Sequence, residues 1–378
     1  MNEKEKIVFK IAEEIEKLGG RAYFVGGMVR DKIMGKDFHD YDIEVYGLTK
    51  DKLEELLLSF ANFKSVGKTF SIFTLEKYDL DIAMPRKDIK VANGHKGFEV
   101  ISDPFMSKKD AASRRDFTCN ALMQDVLSGE IFDYFNGYDD IKHKILRHVS
   151  SKHFGEDPLR VLRACRFKAQ LDFTIAEETI KIANNTSLAD LSIERIQEEF
   201  KKALNTNKPS FFFEALKEMN HQKLFYELKD IPYFIDDKVI NKTKYQNPYL
   251  YLVANLLLAI KEEDRISFLN KCNSSKEFQK EALKWAKLAS NKASNLFDLY
   301  EEVKYPDDFA SFYEERYSLN QIDEYHNFLK QDFVSGNDLL ALGYKPGKEF
   351  RIILDKARKL QYTLNKSEVL DVIKSGKL

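Results

Sequence analysis

Apolar residues recur at helical spacing from the start of the chain: Ile7, Val8, Ile11, Ile15 and Leu18 share one face, and Gly19 and Gly20 follow where a helix ends. This pattern predicts an amphipathic helix. Arg21 to Val25 then reads as a strand, Gly26 and Gly27 as a tight turn, and Met28 to Met34 as a short helix closed by Gly35. Tyr41 to Tyr46 is a second strand, Lys52 to Phe60 a helix, and Phe70 to Glu76 with Tyr78 to Met84 a strand pair.

Beyond Ile141 the apolar period becomes helical almost throughout. Leu159 to Leu171, Ile193 to Leu204, Phe211 to Met219, Tyr249 to Ile260 and Glu349 to Leu360 each read as a helix. The fold class expected is α+β, a mixed-sheet head followed by an all-α remainder. The divisions expected are a head over 1–140, a helical neck over 141–205, a helical body over 206–300 and a helical tail over 301–378.

Composition narrows the class. In 378 residues, 60 Lys and Arg balance 61 Asp and Glu, so no chain-wide polycation is available to bind nucleic acid. The basic surface is local: residues 344–378 carry nine Lys and Arg against four acids. Cys119, Cys165 and Cys272 form no CxxC pair, which argues against a thiolate zinc site or a disulfide framework and fits a reducing cytoplasm. The first twenty residues mix acids and bases without an apolar core, and Leu250 to Ile260 is too short to span a bilayer, so neither a signal peptide nor a membrane role is expected.

Asp40 and Asp42 lie two apart at a strand start, where period-2 geometry puts both carboxylates on one face. Asp81 lies on a second strand and adds a third carboxylate if the two strands are neighbours. Oxygen ligands of this kind suit Mg²⁺, and two metals sharing three carboxylates serve in-line phosphoryl or nucleotidyl transfer. The competing reading for each acid is a solvated strand position. Gly26 and Gly27 between strand and helix offer bare backbone to a phosphate, and Arg30 adds positive charge beside them.

Val25-Gly26-Gly27-x-Val29-Arg30-Asp31 followed by Asp40-x-Asp42 resembles the head of class II tRNA nucleotidyltransferases and bacterial poly(A) polymerases, in the DNA polymerase beta superfamily. Further segments resemble that family in the same order. They are Arg114-Arg115-Asp116-Phe117-Thr118-Cys119-Asn120-Ala121, Asn136-Gly137-x-Asp139-Asp140-Ile141, Glu156-Asp157-Pro158-Leu159-Arg160 through Arg166-Phe167, and Glu194-Arg195-Ile196 to Leu204. Val334 to Gly347 is similar to a bacterial tail segment that contacts tRNA. Asp81 stands where relatives commonly have Glu, and residues 85–113 keep the length of the family's flexible loop with an unusual sequence.

The resemblance implies Asp40, Asp42 and Asp81 as catalytic carboxylates, with Asp40 and Asp42 holding two Mg²⁺. It implies Gly26, Gly27, Arg30, Arg114, Asp116 and Asn120 at the triphosphate and sugar. Asp157, Arg160 and Arg163, placed on one helical face, would read the base's Watson–Crick edge, and Arg166 would read the base or grip phosphate. The substrates implied are ATP, CTP and the tRNA 3′ end, with CMP and AMP as the units added. A-adding, CC-adding and poly(A)-adding activities remain open, as does a non-catalytic RNA-binding protein on the same scaffold. No motif speaks to oligomeric state.

Overall fold

The computed structural model describes residues 3–38, 41–66, 72–90, 98–228, 246–290, 296–317 and 322–377. Asp40, one of the expected metal ligands, lies outside the described residues. The chain divides into two compact units, Met1–Tyr226 and Glu227–Leu378.

The first unit opens with α1 (Glu3–Lys17), which buries Val8, Ile11, Ala12 and Ile15 as its periodicity requires. β1 (Arg21–Val25), α2 (Gly27–Ile33), β2 (Asp42–Tyr46), α3 (Lys50–Leu58), β3 (Lys64–Val66), β4 (Ile72–Leu75) and β5 (Leu80–Ala83) follow. The stretch expected as a loop over 85–113 instead contains β6 (Arg86–Lys90) paired antiparallel with β7 (Phe98–Ser102), then α4 (Lys108–Ser113); residues 91–97 lie outside the described residues. β8 (Met123–Asp125), β9 (Ile131–Phe132) and α5 (Gly137–His143) complete the head.

The main sheet has the order β3-β4-β5-β2-β1-β8-β9. Its pairs are antiparallel except β2 with β5, which run parallel with Asp42 opposite Asp81. β2 shows why its register is fixed: Ile43 and Val45 are buried on one face, while Asp42, Glu44 and Tyr46 lie on the other. On that second face Tyr23, Val25, Tyr46 and Met123 form a small core under Ala111 and Phe132.

The turn into α5 packs more tightly than its sequence shows. A Cβ on Gly137 would lie 2.2 Å from the Thr118 carbonyl oxygen, so only glycine fits. Asp140 accepts from the Thr118 hydroxyl at 2.7 Å and from Arg147 Nε at 3.1 Å, tying α5 to the segment after α4.

The same unit continues through β10 (Ile145–Leu146), α6 (Ser151–Glu156), α7 (Leu159–Leu171), β11 (Thr174–Ile175), α8 (Glu177–Asn184), α9 (Ile193–Leu204) and α10 (Ser210–Glu218). α7 buries Val161, Leu162, Cys165 and Phe167 and packs against α9 and α10. Asp172, in the left-handed region at φ 60°, ends it.

The second unit is helical among its described residues: α11 (Pro248–Ala259), α12 (Arg265–Cys272), α13 (Lys276–Leu288), α14 (Leu296–Glu302), α15 (Pro306–Tyr317), α16 (Ile322–Leu329), α17 (Gly336–Ala341), α18 (Lys348–Leu360) and α19 (Lys366–Lys374). Trp285, Tyr300, Phe309, Phe312 and Tyr313 are fully or almost fully buried. Val334 and Leu339 form a separate core with Ala357, Val369 and Ile373 of the basic C-terminal segment. Among the described residues no helix is long and apolar enough to cross a membrane.

Candidate active site

A cavity of about 640 Å³ opens where β1, β2 and β5 meet the segment after α4 and the first turns of α7. Gly26, Gly27, Arg30, Asp42, Asp81, Arg114, Asp116, Asn120, Asp157, Arg160, Arg163 and Arg166 all line it. Apart from Asp40, every residue expected at the site therefore reaches one space. Arg115, part of the Arg114–Ala121 segment, lines it too, as do Glu44, Arg86 and Gln170, for which the sequence gives no site signal.

Asp42 and Asp81 are exposed to this cavity from adjacent parallel strands. Asp81 Oδ1 accepts from the Thr74 hydroxyl at 2.6 Å, which orients it. Two carboxylates in register on rigid strands form a hard-oxygen donor set, and that chemistry fits Mg²⁺. Gly26 stands across from them in the left-handed region at φ 72°; a Cβ there would lie 3.2 Å from Arg115 Nη1 and 3.6 Å from Asp42 Oδ2.

Arg30 is buried and ties its own helix to the segment after α4. Its Nε and Nη2 each donate to Asp31 at 2.9 Å, and its Nη1 donates to Asn120 Oδ1 at 2.6 Å. Asn120 in turn donates to Asp116 Oδ1 at 3.2 Å. Burial alone would raise the Asp116 carboxyl, but Arg163 and the hydrogen bonds from Asn120 and the Phe117 amide outweigh it and hold the group below its usual value.

The cations of the cavity act on one another. Burial lowers the Arg114 guanidinium, and Arg86 and Arg160 lower it further. Burial likewise lowers Arg86, with Arg115 adding to the effect. Accumulated positive charge of this kind suits a polyanionic ligand.

Asp157 departs from the expected helical face. Pro158 pushes it into extended backbone at φ −121°, so it precedes α7, while its carbonyl still accepts from the Arg160 N–H at 3.0 Å. Its carboxylate accepts from the Leu159 amide at 3.1 Å, and Arg195 Nη2 donates to its two oxygens at 3.0 and 2.9 Å. Arg160 Nη2 donates to the Arg114 carbonyl at 2.5 Å, while its Nη1 is buried without a hydrogen-bond partner among the described residues.

Arg163 and Arg166 are held from behind. Arg163 pairs with Asp116, and Arg166 donates from Nε to buried Glu199 at 2.6 Å and from Nη1 to Gln170 at 2.7 Å. Arg30, Arg163 and Arg166 surround the Phe167 ring, with guanidinium carbons 5.5, 5.3 and 4.0 Å from its centroid.

Residues 22–147 match the family described as the Poly A polymerase head domain, and residues 172–231 match the one described as a probable RNA and SrmB-binding site of polymerase A. The chain is 38% identical over 218 residues to the CCA-adding enzyme of Marinobacter nauticus, covering 56% of this chain and 57% of that protein. It is 37% identical over 207 residues to the multifunctional CCA protein of Xylella fastidiosa strain M23, covering 53% of this chain and 48% of that protein. The chain thus spans about half the length of the curated relatives it matches.

Among solved structures it is similar to the Bacillus stearothermophilus CCA-adding enzyme in complex with CTP, with a TM-score of 0.74 at 22% identity, covering 100% of this chain and 98% of that one. The Thermotoga maritima CCA-adding enzyme complexed with tRNA gives a TM-score of 0.69 at 20% identity, covering 100% and 97%. At these identities the likeness establishes the α+β fold.

Proposed function

We propose that this chain, whose residues 22–147 match the Poly A polymerase head domain, is a nucleotidyltransferase that transfers CMP and AMP from CTP and ATP to the 3′ end of tRNA. One observation carries the reading: a single cavity joins the paired carboxylates Asp42 and Asp81 to Asp157 and Arg160, whose polar groups would suit the edge of a base. The relatives named for CCA addition and the solved structures with CTP and tRNA support it.

The reaction joins the terminal 3′-oxygen to the α-phosphorus of the nucleotide as the α–β phosphoanhydride bond breaks and pyrophosphate leaves. Asp42 and Asp81, together with Asp40, would hold two Mg²⁺, which when bound polarise the attacking hydroxyl and neutralise charge on the leaving pyrophosphate. Arg114 and Arg115 reach the same cavity as Gly26 and would take the triphosphate, while Asp116 and Asn120 fix the surrounding segment. No covalent enzyme intermediate is required; positioning and charge stabilisation supply the catalysis.

Base choice follows from donor and acceptor chemistry. An ionised carboxylate only accepts, so Asp157 favours the exocyclic amino group of cytosine or adenine and repels the keto oxygen of uracil or guanine. Arg160 only donates and would meet the ring nitrogen beside that amino group. The RNA itself would be held by the helices after residue 172 and by the basic C-terminal segment, in the cytoplasm.

The test is incorporation into tRNA transcripts ending at the discriminator base, at C and at CC, with Mg²⁺ and each nucleotide triphosphate singly and in pairs. Growth to CCA and no further supports full CCA addition. Extension of the CC transcript alone means an A-adding enzyme, two cytidines alone a CC-adding one, and long A tails a poly(A) polymerase. No incorporation overturns the catalytic reading in favour of RNA binding.

A further inference from the structure

β2 carries a second acid beyond the metal-type carboxylates. Glu44 lies two residues after Asp42 on the same face, and a bare carboxylate there would repel an incoming triphosphate. It is not bare. Arg115 Nη2 donates to Glu44 Oε1 at 3.3 Å, and the Tyr46 hydroxyl donates to Glu44 Oε2 at 2.6 Å. The other arm of the guanidinium, Nη1, is the nitrogen that stands over Gly26 beside Asp42. Tyr46 is buried at 7% exposure and in edge contact with Tyr23 at 5.4 Å, so the hydroxyl at the base of this chain is fixed by packing. Burial first, and then the Glu44 charge, push that hydroxyl above its usual range, so it remains a donor.

We propose that Tyr46 and Glu44 form a strut that positions Arg115, holding one guanidinium nitrogen so that the other meets the β- and γ-phosphates of the nucleotide at the Gly26 turn. This rests on the nucleotidyl-transfer reading and adds what that reading does not contain: two residues of β2 that touch no substrate and set triphosphate affinity through a third. Glu44 has two effects. With Arg115 present it aims the cation and its own charge is balanced; without Arg115 it is an uncompensated negative charge facing the phosphates.

The test is equilibrium binding of CTP and of CMP to the full chain with Mg²⁺, by calorimetry, alongside thermal melting. Removing a hydrogen bond to a charged group is worth about tenfold or more, so Tyr46→Phe and Glu44→Gln should each weaken CTP about tenfold. CMP, which lacks the β- and γ-phosphates, should bind each variant as it binds the wild type, which a general loss of structure would not allow. In an Arg115→Ala background Tyr46→Phe should add nothing, and Glu44→Gln should restore part of the lost CTP affinity.

Equal CTP affinity in wild type and Tyr46→Phe, or equal losses for CTP and CMP, would overturn the strut. Binding is read apart from turnover, so the two proposals fail separately. A wild type that binds CTP more weakly after Tyr46→Phe but transfers nothing keeps the strut and sinks the transfer reading; a wild type that transfers nucleotide while Tyr46→Phe binds CTP unchanged does the reverse.

Discussion

Arg163 and Asp116 lock α7 to the segment after α4: Nε and Nη2 of Arg163 lie 2.7 and 2.6 Å from one carboxylate oxygen of Asp116, 47 residues earlier in the chain. Arg160 makes a parallel link to the Arg114 carbonyl. The helix proposed to read the base is thereby fixed to the segment proposed to hold the triphosphate, so both ends of one nucleotide meet a single rigid frame.

Removing Arg163 takes away the one guanidinium hydrogen-bonded to buried Asp116 among the described residues, leaving the Asn120 amide, the Phe117 N–H and the more distant charges of Arg160 and Arg166 to offset it. Arg163→Ala should therefore cost about 3 kcal/mol in urea unfolding, the low end of the range for breaking a buried ion pair. Pairing it with Asp116→Asn should recover a large part of that loss. Full additivity of the two changes would show that the pair is not coupled.

Asp157 gives the prediction on specificity. Asp157→Asn replaces one acceptor oxygen with a donor and should let UTP compete, lowering CTP-over-UTP selectivity by roughly 10–100-fold in kcat/KM. Arg195→Ala frees the same carboxylate and should lower selectivity less, because the Leu159 amide still orients one oxygen. Competitive single-nucleotide incorporation measures both, and unchanged selectivity in Asp157→Asn would remove Asp157 from base choice.

His148 sets a pH dependence. Burial, aided by Arg147, lowers its pKa, and its ring nitrogens contact the hydroxyls of Thr179 and Ser151 at 2.8 and 3.0 Å. The folded state thus holds fewer protons than the unfolded state as the solution becomes acidic. The stability His148 contributes is complete above the ordinary histidine value near 6.5 and is lost as pH falls through the lowered folded value. The melting temperature should drop between pH 7 and pH 5, and His148→Gln should flatten that dependence.

Much of this architecture is legible in the chain. Arg21–Val25, Leu159–Leu171 and Ile193–Leu204 have the bounds that their periodicity predicts, because each carries a strong apolar pattern between clear turn residues. The β6–β7 hairpin is not, since Arg86-Lys87-Asp88-Ile89-Lys90 holds one apolar residue in five and shows no alternation. The site residues announce themselves as motifs, and Glu194 to Leu204 does so too, but which residue each partner pairs with is not legible. Arg195 reaches Asp157 across 38 positions and Glu199 reaches Arg166 across 33, distances that only packing of α9 on α7 brings together.

Gly137 shows the same limit. Sequence marks it as a turn, yet its φ is not in the left-handed region and its reason is contact with the Thr118 carbonyl. Gly137→Ala should destabilise the head by about 3 kcal/mol, the upper range for overpacking, and thermal melting measures it. An unchanged melting temperature would mean that the turn yields at little cost.

The most direct measurement of the central claim is transfer of α-labelled CMP from CTP to a tRNA transcript lacking CCA, by wild type and by Asp42→Ala. If Asp42 and its neighbour Asp81 form the catalytic edge, the wild type labels the transcript, and Asp42→Ala, melting at the same temperature, labels it at least about 1,000-fold more slowly, as loss of a metal-holding carboxylate implies. Labelling by Asp42→Ala at the wild-type rate would place the chemistry elsewhere and contradict the account.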